Sequence, residues 1–303
     1  MVEARETVDL VATPVPPLPL GHDCREAWAL VAIAKGSGPF ADRDFDIRQC
    51  AICGVAFTCL VPTEADSGTL YADRESNDFQ ARDGRVVAWL KGIAARRDAG
   101  SICRGIDRSA AITILDYGCG NGAFVEALQA VRPSAQVIGA DLHPDAPSGL
   151  AGNRYVPYAQ LDAWRGRTDL ILCRHVLEHT YDPVRLLVDL GRLLRPGGSL
   201  VVEVPSFDSA IRRMLGRYWS GFYVPYHTLH FMPDSLTAVA SAAGLRVERI
   251  ERAEMPMMGR SIGARLGGGY GLGLFALGMS LHPMQVIVGH LTQRGACLRV
   301  WAS

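Results

Sequence analysis

The stretch LDYGCGNGAF, residues 115–124, sets Gly118, Gly120 and Gly122 between an apolar, β-branched run and a helical one. Glycine tolerates positive φ and lets a ligand or a neighbouring backbone approach closely. A strand, a glycine-rich turn and then a helix form the entry to a nucleotide-type site in a doubly wound sheet. Ligands there lie beyond the carboxyl ends of the strands, where the strand order reverses. The spacing narrows the ligand. A dinucleotide fingerprint reads G-x-G-x-x-G, whereas here the third glycine falls one position early, and Asp116 stands just before the turn. A carboxylate at that place repels a pyrophosphate and suits an ammonium or a sulfonium. The following run, AQVIGAD, ends in Asp141, nineteen residues after Gly122. An acid at the end of the second strand accepts ribose hydroxyls. The pattern predicts an adenosine with a cationic tail.

The rest of the chain alternates in the same manner. Apolar runs at 111–118, 135–141, 153–158, 168–174, 199–206, 245–253 and 296–302 read as strands. Helical patterns at 85–97, 121–131, 182–194 and 232–244 are interleaved with them. Such alternation predicts an α/β fold: a Rossmann-like, doubly wound, mainly parallel seven-stranded sheet with helices on both faces. The expected division is an N-terminal arm and small cysteine-bearing module over 1–84, then the α/β domain over 85–303. A Gly-rich apolar insertion is expected at about 255–293.

These motifs resemble the class I S-adenosylmethionine-dependent methyltransferases. ILDYGCGNGAF is similar to their first motif and VIGADLHP to their second. DLILCRHVLEHTYDP is similar to the fourth-strand motif and LRPGGSLVVEVPS to the fifth strand with its entry turn. PYHTLHFMPDSLTAVASAAGLRV resembles a segment of a bacterial subgroup that includes enzymes acting on nucleotide-linked sugars and other small metabolites. The resemblance implies that Asp116, Gly118, Gly120 and Gly122 hold the methionine part, that Asp141 holds the ribose, and that Leu142 packs on the adenine. Asp162 is the candidate for the adenine amine.

HVLEH, residues 175–179, matches a zinc-peptidase pattern, H-x-x-E-H. That chemistry needs a long helix, and here the motif leaves a buried strand. In the methyltransferase reading the segment lies beside the transferred methyl, which makes His179 a substrate-facing candidate; the alternative is that Glu178 holds the loop by hydrogen bonds. WSGFYVPYHTLHF, 219–231, adds His227 as a candidate base in an aromatic wall. Histidine titrates near neutral pH and suits removal of a proton from an acceptor. In sugar C-methyltransferases the comparable segment reads Tyr-x-Glu-His. His227 matches its histidine, while Val224 and Tyr226 stand at the tyrosine and glutamate places.

Cys50 and Cys53 form half of a zinc-ribbon pattern. With His22 and Cys24 they compose a Cys3His donor set, against the two Cys-x-x-Cys pairs of the related subgroup. Lysine plus arginine and aspartate plus glutamate are both 31. This zero net charge gives no basic footprint for nucleic acid, so the expected partner is a small-molecule acceptor. No secretory leader is visible, and a cytoplasmic location is expected. Residues 266–293 lack Asp, Glu, Lys and Arg. Glycines, Pro283, His282, Gln285 and His290 argue against a stable membrane span and for a covering hairpin, an oligomer contact or a membrane-surface segment. Two rival readings stand beside the methyltransferase: a nicotinamide-dependent oxidoreductase, and a non-catalytic cofactor-binding or zinc-ribbon interaction protein. The cofactors expected are S-adenosylmethionine and, at the Cys3His set, zinc.

Overall fold

The computed structural model describes residues 10–12, 22, 24–63, 85–104, 106, 111–150, 152–267 and 271–303. Much of the expected N-terminal arm, residues 64–84 and with them the expected boundary after residue 84 lie outside the described residues. In chain order the N-terminal strands are β1 (Leu10–Ala12), β2 (Trp28–Lys35), β3 (Asp44–Cys50), β4 (Ala56–Thr58) and β5 (Leu60–Pro62). There follow α1 (Arg85–Ile102), β6 (Thr113–Tyr117), α2 (Ala123–Val131), β7 (Gln136–Asp141), β8 (Tyr155–Pro157) and β9 (Thr168–Arg174). Next come α3 (Pro183–Leu193), β10 (Leu194–Pro205), α4 (Ala210–Leu215), β11 (Leu229–His230) and α5 (Pro233–Ala242). The chain ends with β12 (Val247–Ala253), α6 (Met258–Arg265), α7 (Leu272–Thr292) and β13 (Cys297–Ala302).

The central sheet has seven strands in the order β12-β13-β10-β9-β6-β7-β8. β13 runs antiparallel to both of its neighbours, and the remaining pairings are parallel. Its strands are apolar on both faces because helices cover both sides. Leu115, Ile171, Leu200 and Val202 pack with α3 and α5. The alternate residues Ile114, Leu170, Leu172 and Val201 pack with α1 and α2. This is the two-residue period of a strand turned into two cores. Helix α3 starts where Pro183 follows Asp182, whose carboxylate accepts from the Arg185 amide at 2.9 Å. The strand order reverses between β6 and β9, so the glycine turn after β6 and the HVLEH segment after β9 leave the sheet side by side.

Two elements extend beyond their sequence patterns. The first helix runs on to Ile102, burying Ala99 and Ile102 against the sheet. β10 begins at Leu194, because the LRPGG turn already pairs with β9 at Thr168 before the register shifts at Ser199. The segment 255–293 forms a helical pair, α6 against α7, with Gly278 at the Gly259 backbone. Gln285 anchors α7. Its amide donates to the Met255 carbonyl at 2.6 Å and accepts from the Met257 amide at 3.2 Å.

The N-terminal strands are not a bead on a string. β2, β3 and β4 form a sheet that β11, from the middle of the chain, completes: Leu229 pairs with Phe57 and His230 with Ala56. Phe57 is fully buried at this seam. Beside it the Thr58 hydroxyl donates to the His227 carbonyl at 2.7 Å and lies 2.9 Å from His230 Nε2. Thr58→Val keeps the volume and removes a buried hydroxyl serving two groups. Urea denaturation should show a loss of about 1–3 kcal/mol, the cost of leaving buried polar groups unpaired.

Candidate functional site

The glycine turn adopts the backbone that its composition demands. Gly118, Gly120 and Gly122 have φ of 79°, 52° and 78°. A side chain at Gly118 would overlap Val176, and one at Gly122 would press on Leu150. Val176 belongs to the HVLEH segment, so the glycine turn and that segment are in direct contact. Asp141 closes the turn from β7. Its carboxylate accepts from the Gly120 amide at 2.7 Å and from the Leu142 amide at 2.7 Å. Leu142 itself is 69% exposed, an apolar side chain held at the mouth beside a carboxylate. The Asp162 side chain is exposed and paired with Arg165 at 2.9 Å.

Asp116 is buried at the end of β6. Burial pushes its carboxyl up to about 7, against the pull of Arg174 and with a further push from Asp141. A buried acid of this kind is poised for a cation, and the turn beside it is closed to side chains at Gly118 and tight at Gly122. These features fit S-adenosylmethionine, which carries an ammonium and a sulfonium next to a ribose.

Behind the site runs a buried charge network. Glu203, on β10, receives Arg299 from β13, with Nε to Oε2 at 2.7 Å, and Arg174 from β9 at 3.2 Å. Asp98 of α1 binds both arginines, at 2.7 and 2.6 Å. His175 completes it. Its Nδ1 lies 3.4 Å from Glu178 and its Nε2 3.3 Å from Glu203. Burial works against its protonation, but the two carboxylates outweigh it and raise the imidazole to about 9. His175 has φ of 55°, left-handed for a non-glycine residue. Such strain concentrates at functional loops.

The two candidate histidines meet. The His179 and His227 rings are 4.5 Å apart, edge to face. His179 Nδ1 lies 3.0 Å from the Tyr226 carbonyl, and His227 Nδ1 lies 2.9 Å from the Gly221 carbonyl. A carbonyl only accepts, so each Nδ1 carries a proton and each ring is fixed in orientation. Glu178 joins them, 1% exposed, with Oε1 3.9 Å from His227 Nε2. The three residues bring one donor atom each within 4.8 Å of one another.

His22, Cys24, Cys50 and Cys53 also converge. Cys24 Sγ lies 3.5 Å from both His22 Nε2 and Cys53 Sγ, and Cys50 Sγ lies 3.3 Å from His22 Nε2. Tetrahedral zinc with bonds of about 2.0–2.3 Å sets its ligand atoms roughly 3.5–3.8 Å apart, so the donor set fits zinc. The Ile52 amide donates to Cys50 Sγ at 3.4 Å. The hydrogen bond from Cys24 lowers the Cys53 thiol to about 5 and pushes that of Cys24 up.

Sequence reasoning overlooked Glu203, Arg174 and Arg299. One signal was present: a glutamate inside the apolar run LVVEVPS must have a partner. Thr58 carried no signal, because its role depends on a strand more than 160 residues away.

The site and sheet define a class I, Rossmann-like methyltransferase fold. A family model described as "Methyltransferase domain" matches residues 85–250, more than half of the chain. The chain belongs to that family, the S-adenosylmethionine-dependent methyltransferases. Among curated relatives, an uncharacterized 37.1 kDa protein in transposon TN4556 of Streptomyces fradiae is 29% identical, over 50% of this chain and 49% of its own. A ubiquinone biosynthesis O-methyltransferase of Cereibacter sphaeroides is 33% identical, over 44% of this chain and 60% of its own. The match thus spans about half to two thirds of such relatives. A crystal structure titled as that of the [4+2]-cyclase SpnF superposes with a TM-score of 0.50 at 18% identity, covering 80% of this chain and 96% of that one. This likeness concerns the fold alone.

Asp116 gives a pH test. Between about pH 4 and 7 the folded state keeps a proton that the unfolded chain releases, so this group lowers stability as pH rises through that window. Asp116→Asn removes the cost. Without ligand, its melting temperature should exceed the wild type's by an amount that opens from pH 4 to 7 and then levels off. A constant difference at all pH values would contradict the raised pKa.

Proposed function

We propose that the protein transfers the methyl group of S-adenosylmethionine to a hydroxyl oxygen of a small metabolite, of which a sugar or glycosylated compound is one example. The observation that carries this reading is the contact of the acid-flanked glycine turn with the segment bearing Glu178 and His179, which in turn packs on His227. Asp116 and the 118–122 turn receive the charged methionine end, Asp141 the ribose, and Leu142 the adenine face. Relatives named ubiquinone biosynthesis O-methyltransferase support an oxygen acceptor. The bound cofactor supplies a methyl carbon already activated by its sulfonium. What remains for the chain is to align the acceptor, exclude water and accommodate the proton it loses. His227, with its Nδ1 fixed on the Gly221 carbonyl, is the candidate base for that last task. The aromatic segment 219–231 and the N-terminal sheet form the wall: Tyr226 packs edge-on to Phe40, and the Tyr181 hydroxyl donates to the Pro62 carbonyl at 2.6 Å.

We also propose that the Cys3His set of His22, Cys24, Cys50 and Cys53 holds a structural zinc ion and that the N-terminal module covers the acceptor. Elemental analysis of freshly reduced protein should find about one zinc per chain at this set, with Cys53→Ser lowering both metal content and stability. A metal-free wild type would refute the zinc.

A screen of metabolite pools with labelled methyl donor tests the reaction itself. Failure to bind the donor would refute the reading. Asp141→Ala should weaken binding of the methyl donor by about 1–3 kcal/mol in calorimetry, the usual cost of unpaired hydroxyls in a polar site. With an acceptor in hand, His227→Ala should lower turnover by about 10²–10⁴-fold with donor affinity nearly intact. Equal loss of donor affinity would assign His227 a structural role.

A further inference from the structure

The buried group formed by Glu178, His179 and His227 holds more than a base requires. Glu178 is 1% exposed, and among the described residues neither of its side-chain oxygens has a hydrogen-bond partner. An unsatisfied buried carboxylate is costly unless a cation or a donor meets it. The cationic His175 pairs with Oε1 at 3.4 Å on one side, and Oε2 has no hydrogen-bond partner among the described residues. On the other side stand the two imidazoles. Each is oriented by an Nδ1–H donated to a backbone carbonyl, the Tyr226 and Gly221 carbonyls respectively. Histidines that bind metals are held in this manner, with one nitrogen fixed by a carbonyl and the other presented to the ion. Two imidazole nitrogens and one carboxylate oxygen within 4.8 Å of one another form a two-histidine, one-carboxylate donor set.

We propose that Glu178, His179 and His227 bind one first-row divalent transition-metal ion, whose remaining coordination positions take oxygens of the acceptor. The choice of ion class follows from the donors. Imidazole with carboxylate suits zinc, iron, cobalt or manganese, whereas an all-oxygen site would suit magnesium or calcium. Three protein ligands leave room for exogenous oxygen, unlike the Cys3His set, which closes a tetrahedron by itself. The acceptor favoured is one with two adjacent oxygens, such as a vicinal diol or an ortho-hydroxy aromatic compound. A cation there lowers the pKa of a bound hydroxyl, so the histidines would act on the acceptor through the ion. The metal site stands on the geometry above; its role toward the acceptor rests on the methyltransferase reading.

Cobalt(II) is the probe. Full-length, metal-stripped protein is dialysed against it and bound metal is counted, while thiolate-to-metal charge-transfer absorption separately reports the Cys3His set. About two cobalt ions per chain are expected. Cys53→Ser should abolish the charge-transfer band and leave one ion. Glu178→Gln and His227→Gln should each lose one ion and keep the band. Retained affinity for S-adenosylmethionine, within about twofold of wild type, verifies that these two variants are folded. Should one of them fail to fold, His179→Gln gives the same reading from the third ligand. If the wild type binds cobalt only through its thiolates, or if the folded Glu178 and His227 variants bind as much as wild type, the proposal is overturned. A wild type that binds cobalt at this site but not S-adenosylmethionine would leave the metal site standing and refute the methyltransferase reading.

Discussion

The carboxylate of Glu203 is the point to which the rest of the site is tied. It sits 3% exposed in the middle of the sheet, where an isolated charge would cost several kcal/mol. Three cationic groups surround it: Arg299 from β13, Arg174 from β9 and His175 from the loop beyond β9. Despite the burial, these partners hold the glutamate well below the usual carboxylate range. Asp98 then ties both arginines to α1. Removing any one partner leaves charge stranded in the core, so β9, β10, β13 and α1 are locked in register at their functional end. His175 transmits that lock to the loop, since one nitrogen faces Glu203 and the other faces Glu178. Its left-handed backbone is held by the same contacts, and the His175 amide also donates to the Glu203 carbonyl at 2.8 Å.

The far wall depends on a different device, an edge strand shared between distant parts of the chain. β11 is only two residues long, yet it completes the N-terminal sheet and carries His230. His230 is buried, and burial together with Arg212 lowers its imidazole to about 3, so it stays neutral as a packing and hydrogen-bonding group. His227, three residues earlier, is held through its carbonyl by Thr58 and through its ring by Gly221. His230 thus serves as support, while His227 is the residue of the pair proposed for chemistry. The Cys3His cluster lies in the same N-terminal unit: Cys50 ends β3, and the Cys50 amide bonds back to Val55 just before β4. Order at the cysteines is therefore mechanically connected to the strand that supports His227.

Helix α7 is the outlier in surface chemistry. Among the described residues it is the helix long and apolar enough, by length and composition, to cross a membrane. It is mostly exposed, with Leu272, Ile287 and Leu291 outward. Gln285 and Gly278 nonetheless hold it along α6 and the 254–257 segment that follows β12. Pro283 lies inside this helix, two residues before Gln285.

Much of this protein was legible one residue at a time. Period-two apolar runs, glycines where the chain must turn with positive φ, and a carboxylate near the ends of β6 and β7 are local requirements. The seven strands, the acid-flanked turn of 116–122 and Asp141 could therefore be read directly from sequence, as could four cysteine and histidine positions that do converge. What the sequence could not supply was which distant groups satisfy one another. The partners of Glu203 come from three other elements, Thr58 meets His227 across a seam, and Glu178 acquires its setting only when two loops fold together. Local propensity constrains a residue's own backbone and burial. The pairing of buried charges and the orientation of an imidazole ring depend on long-range packing, so only the tertiary structure decided them.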